Sequence, residues 1–172
     1  MSVEEFERLP KDGMRHELIR GELTTMPPAR LRHSDAASEL FLELGNACKK
    51  SGRYKAYAEA GFRLSPDTIL QPDVAVVSQE RRKGSDPDGY IWGAPDLAIE
   101  VASPSNSQEE FEEKMSLYFQ YGSRQVWMVY TKTRHVHTFE AGHSTARVLS
   151  ESDALTTDLL PGWSMPVRAI FE

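Results

Sequence analysis

The stretch APDLAIEVASPS, residues 94–105, decides the fold. Leu97, Ile99 and Val101 alternate with Ala98 and Ala102, so both faces of the strand are apolar, as in strands covered on two sides. Glu100 sits in the middle of it. An ionised carboxylate placed there costs several kcal/mol unless a cation or a set of hydrogen-bond donors meets it. The segment therefore predicts a sheet buried on both faces and a partner for Glu100.

Upstream, QPDVAVVS (71–78) poses the same problem: Asp73 leads into a strand whose next residues, Val74 to Val77, are all apolar. Two carboxylates brought together on neighbouring strands repel unless a proton or a cation lies between them. A hard divalent cation, Mg²⁺ or Mn²⁺, meets that need with oxygen ligands and keeps waters for chemistry. The competing reading makes Asp73 a turn cap after Pro72.

Downstream, SNSQEEFEEKMSLYFQYG (105–122) predicts a helix. Ser107 is placed as N-cap with Glu110 three residues later, Phe111, Met115 and Tyr118 share one face, and Gly122 ends it. Lys114 borders that apolar face, so its ammonium can reach inward to the carboxylates, where it would orient or deprotonate an attacking water or stabilise a phosphorus transition state. The alternative is a surface pair with Glu110 across one helical turn.

The remaining pattern alternates helix and strand. SVEE (2–5) has capping-box form and opens a short helix. RHELIRGELTTM (15–26) reads as a hairpin about Arg20 and Gly21, and the segment from His33 to Lys50 as a long amphipathic helix ending at Gly52. YKAYAEAGFRLS (54–65) is a strand candidate followed by the turn SPDT, and residues 79–93, rich in charge and glycine, read as a loop. QVWMVYT, HVHTFE and ARVLS form successive antiparallel strands. An α/β or α+β architecture follows, a central mixed sheet flanked by helices.

The bulk numbers suit one domain over residues 1–172: 40% hydrophobic content and no linker or internal repeat. The lone cysteine, Cys48, cannot form an internal disulfide, and no signal-like or membrane-spanning run is present, so a soluble cytoplasmic chain with no membrane partner is expected. A net charge of −6 argues against broad electrostatic capture of nucleic acid, leaving local basic stretches at 29–33, 49–55 and 80–84 as candidate contacts.

Pro72-Asp73 followed by Glu100 in DLAIEVASPS resembles the PD-(D/E)XK nuclease superfamily. HELIRGELTTMPPA, RHSDAASEL, QPDVAVV, APDLAIEVASPS, EKMSLYFQYG, QVWMV and LPGWSMPV resemble, in this order, the segments of the Uma-type restriction endonuclease group, also classed as a domain of unknown function. The resemblance implies a restriction-endonuclease-like fold and a magnesium-dependent endonuclease acting on nucleic acid, DNA rather than RNA. It also implies a homodimer that cuts two strands. Asp73 and Glu100 carry over as metal ligands, with the backbone carbonyl of Val101. The lysine of the superfamily motif falls on Ala102, and Lys114 matches the lysine that the group carries in the following helix. Glu17 and Glu22 match acidic positions of the opening hairpin, and His33 matches a histidine that contacts substrate phosphate or caps the long helix.

Two other readings compete. The charge balance and Ala102 favour a non-catalytic member of the fold that binds nucleic acid or a protein partner. His135 and His137, on one strand face, with His143, form a weak zinc pattern.

Overall fold

The computed structural model describes residues 1–103 and 107–172; residues 104–106, which include the end of the quoted stretch and the start of the predicted helical segment, lie outside the described residues. In chain order, helix α1 (Val3–Phe6) starts at Ser2, whose side chain and that of Glu5 form the expected capping box. The hairpin β1 (Arg15–Ile19) and β2 (Glu22–Met26) turns through Arg20 and Gly21, both at positive φ (49° and 83°), as a two-residue hairpin turn requires.

Helix α2 (Leu31–Ser51) buries Ala36, Leu40, Leu44 and Cys48 along one stripe and ends at Gly52 in the left-handed conformation. Its N-cap is Arg30, so His33 lies inside the first turn and does not cap it.

The run 54–65 divides in two, β3 (Tyr54–Ala58) and β4 (Phe62–Ser65), and the two pieces enter different sheets. Glu59 takes positive φ (51°) at the break, and a Cβ on Gly61 would come within 2.5 Å of the Tyr90 ring. The chain continues through β5 (Thr68–Leu70) and β6 (Val74–Ser78). Residues 79–93, expected as a loop, contain the short helix α3 (Gln79–Lys83), capped by Ser78, and strand β7 (Ile91–Trp92). Strand β8 (Leu97–Val101) is buried at every position.

Helix α4 (Gln108–Gln120) carries the predicted capping box between Ser107 and Glu110. Strands β9 (Gln125–Tyr130), β10 (His135–Glu140) and β11 (Arg147–Leu149) form the expected meander. The pair β12 (Ala154–Thr156) and β13 (Ser164–Pro166) and a 3₁₀ helix over Val167–Phe171 follow.

The central sheet is mixed, in the order β11-β10-β9-β8-β6-β3, with β8 and β9 parallel and the other neighbours antiparallel. Strand alternation sends Val74, Val76, Leu97, Ile99 and Val101 to one face, where they pack with α2 residues and with Leu155, Val167 and Ile170. Trp127 is fully buried on that face, stacked on Trp163 at 6.3 Å, so Trp163 covers core. Ala75, Val77, Ala98 and Met128 point the other way, against Phe111, Leu117 and Tyr118 of α4 and against Phe62 and Leu70. Those last two belong to the second sheet, ordered β2-β1-β5-β4-β7. By the same alternation Glu100 faces the α4 side.

Candidate active site

The register between β6 and β8 pairs Val74 with Ile99, which sets Asp73, the residue before β6, beside Glu100 and Val101. Asp73 is fixed by three donors. The Val101 N–H donates to Oδ2 at 2.7 Å, His33 Nε2 lies 3.2 Å from the same oxygen, and Arg15 Nη1 donates to Oδ1 at 2.7 Å. Burial pushes this carboxyl up, but the His33 hydrogen bond and the charges of Arg15 and His33 outweigh it and hold it down to about 2. His33 is raised in return by its bond to Asp73, with burial opposing.

Glu100 meets helix α4. Lys114 Nζ lies 2.7 Å from Oε1, and the Tyr118 hydroxyl donates to the same oxygen at 2.6 Å. Residues i and i+4 lie one above the other on a helix, so Lys114 and Tyr118 reach one carboxylate from consecutive turns. Burial raises the Glu100 carboxyl to about 7; Lys114 opposes this, and the negative charges of Asp73 and Glu17 add to it.

Glu17, only 2% exposed, closes the group. Its Oε1 accepts the Gln71 N–H at 2.7 Å and lies 3.1 Å from Lys114 Nζ. Lys114 is therefore held between two carboxylates, and although burial lowers its affinity for the proton, Glu100 and Glu17 raise it well above the usual lysine range. An ammonium so held is placed to orient and stabilise negative charge. Its suggested pairing with Glu110 is replaced by Glu110 bonding the Ser107 N–H.

Of the sequence candidates, Asp73, Glu100, Lys114, Glu17 and His33 converge, and Val101 joins them through its N–H. Glu22 stands exposed on β2, outside this group. Ala102, at the motif's lysine position, packs in the apolar layer on the α4 side. Sequence reasoning missed Arg15 and Tyr118. Period-two spacing from Glu17 was an available signal for Arg15; Tyr118 fell on the helix's apolar face and carried no polar signal.

Of the zinc candidates, His137 packs its ring against Tyr130 at 4.7 Å, and His143 lies 3.4 Å from Glu140. Among the described residues no trio of His, Cys, Asp or Glu side chains comes together as a metal cage. A magnesium site asks for less, one or two carboxylates with waters and substrate phosphate completing the shell. The buried carboxylates of Asp73, Glu100 and Glu17 fit a hard divalent cation by the chemistry of their donors, although Arg15 and Lys114 supply the positive charge in this arrangement. A small hollow of about 20 Å³ opens beside Glu100, lined by Val101, Glu110, Phe111, Lys114 and Met128. A larger one, about 210 Å³, lies over Gln125 and Trp127 and touches none of the cluster.

A family model described as "Putative restriction endonuclease" matches residues 3–168. The chain belongs to this Uma2 family. A solved structure from Anabaena variabilis, a "putative nuclease belonging to DUF820", is similar with a TM-score of 0.86 and 22% identity, covering 99% of this chain and 97% of that one. That likeness gives the Uma2 chain its fold: mixed sheets flanked by helices, as the sequence pattern predicted. None of the curated proteins matches this sequence. Among the described residues no helix is long and apolar enough to cross a membrane.

Proposed function

We propose that this chain is a divalent-metal-dependent endonuclease, acting on DNA in preference to RNA, with Asp73 and Glu100 as metal ligands and Glu17 as a supporting carboxylate. One observation carries the reading: buried Glu17, Asp73 and Glu100 come from β1, β6 and β8 to one neighbourhood, with Lys114 Nζ 2.7 Å from Glu100 and 3.1 Å from Glu17 and Asp73 next to Glu100 in the β6–β8 register. Structural ion pairs rarely gather three acids in a core, because each must be desolvated and each repels the others. A bound Mg²⁺ or Mn²⁺ would supply Lewis acidity and a water of lowered pKa.

The chain's own residues do the rest. Asp73, held ionised, offers a carboxylate whose direction is set by Val101 N–H and His33. Glu100 is oriented by Tyr118, and the Val101 carbonyl completes the proposed ligand set. Lys114 remains a fixed cation beside the reacting centre, where it stabilises charge developing on phosphate oxygens. One domain, a cytoplasmic setting and a homodimer that presents two such sites to two strands complete the proposal.

Ala102 supports a second reading, a binding protein that has lost turnover. Labelled single-stranded, double-stranded and branched DNA and RNA, incubated with Mg²⁺ or Mn²⁺, separate the two. Cutting that requires metal and disappears in Glu100→Gln supports the nuclease; binding without cutting by wild type across the panel supports the second reading.

A further inference from the structure

Arg15 is the member of the cluster that the proposed chemistry leaves without a task. It stands two residues before Glu17, so both side chains leave the same face of β1. Its fork is split: Nη1 donates to Asp73 Oδ1 at 2.7 Å, Nη2 donates to the Gln71 carbonyl, and Nε is buried with no hydrogen-bond partner among the described residues. A guanidinium serving only to clamp a carboxylate would put two parallel N–H groups on it.

A second carboxylate stands at hand. Glu59 Oε1 lies 3.5 Å from the same Nη1, on a side chain 60% exposed, at the left-handed break between β3 and β4. Arg15 thus has a buried partner and an outer one within a small side-chain movement. The oxygen that it holds, Asp73 Oδ1, is the one that neither Val101 nor His33 occupies.

We propose that Arg15 is a resident counter-ion that holds Asp73 Oδ1 until a divalent cation takes it, and then turns outward onto Glu59; this rests on the reading of Asp73 as a metal ligand. Cation and guanidinium exclude each other at that oxygen, because like charges a few ångströms apart repel strongly in a buried site. The protein core keeps its charge balance before metal arrives, and metal binding carries the cost of moving Arg15.

Calorimetric titration of Mn²⁺ into wild type, Arg15→Met, Glu59→Gln and the double variant tests this, with Asp73→Asn as reference. Arg15→Met tightens Mn²⁺ by about tenfold, since no cation need be displaced. Glu59→Gln weakens it by about threefold in wild type and has little effect once Arg15 is Met, the coupling expected of one exchanging partner. Arg15→Gln, which removes the charge and keeps a polar side chain, takes its place in the cycle if Arg15→Met does not fold. Equal or weaker binding in the Arg15 variants, or a Glu59 effect that is the same in both backgrounds, overturns the counter-ion role. Binding unchanged in Asp73→Asn overturns the metal-ligand reading itself, and no binding by any variant overturns both.

Discussion

Lys114 Nζ lies 2.7 Å from Glu100 Oε1, a helix ammonium meeting a strand carboxylate where both side chains are 11% exposed. With Glu17 on its other side, the lysine neutralises two buried acids at once. Lys114→Met leaves both uncompensated, and breaking a buried pair in this way costs about 3 to 5 kcal/mol. The loss is largest above pH 7, where Glu100 is ionised, and smaller near pH 5.5, where it carries a proton. Urea denaturation at the two pH values measures it; equal losses would mean that the lysine stem's packing, and not its charge, is what stabilises.

Asp73 sets the acid limb of stability. Its folded carboxyl is held down to about 2, below the ordinary 3.8, so its ionised form is favoured by folding. Such a group contributes fully above the unfolded value and loses its contribution as pH falls through the folded one. Asp73→Asn should therefore destabilise the protein by about 2 kcal/mol at pH 6 and by only about a few tenths near pH 2. Melting curves of the two proteins between pH 2 and 6 give the answer: a gap that stays constant would detach the effect from the ionisation of Asp73.

Glu100 behaves in the opposite way. Its carboxyl is raised from 4.5 to about 7, so the folded protein holds the proton more tightly than the unfolded chain does. Stability from this group is present below pH 4.5 and is lost as pH rises to about 7. In metal-free buffer Glu100→Gln removes that loss while Lys114 keeps Glu17. The variant should melt about 3 to 6 °C above wild type at pH 8.5, the shift that 1 to 2 kcal/mol produces in a chain of this size. At pH 4 the two should melt nearly together. A lower melting temperature at pH 8.5 would make the Glu100–Lys114 pair a net stabiliser.

Much of this was legible in the sequence for physical reasons. Glu100 was visible because an acid in a doubly apolar strand breaks the pattern, and Asp73 because four apolar residues follow it. Lys114 was placed by helical spacing from Phe111. Strand 54–65 misled because its alternation runs through Glu59 without interruption. What divides it is non-local, the Tyr90 ring lying over Gly61. Strand β7 and helix α3 are too short for periodicity to register. Arg15 shares a face of β1 with Glu17 by period-two spacing, but that spacing does not reveal that β1 backs onto the central sheet near Asp73. Tyr118 sat at a core position of α4, and its ring does belong to the core; only its hydroxyl is directed at Glu100.

That hydroxyl gives a prediction of its own. Tyr118 is fully buried and its O–H donates to Glu100 Oε1 at 2.6 Å. A hydrogen bond to a charged acceptor contributes about 1.5 to 3 kcal/mol. Tyr118→Phe deletes the donor and leaves the ring packed against the apolar layer of α4. The bond favours ionised Glu100, so its removal costs most above pH 7 and least near pH 5.5, where the carboxyl is protonated in the folded state. A melting temperature lowered by about 5 °C at pH 8.5, and by clearly less at pH 5.5, is the expected result. Mn²⁺ affinity falls by a few-fold in the same variant, because Lys114 alone leaves the carboxylate freer to rotate. An equal deficit at both pH values, with unchanged Mn²⁺ binding, would make Tyr118 a packing residue whose hydroxyl does not orient Glu100.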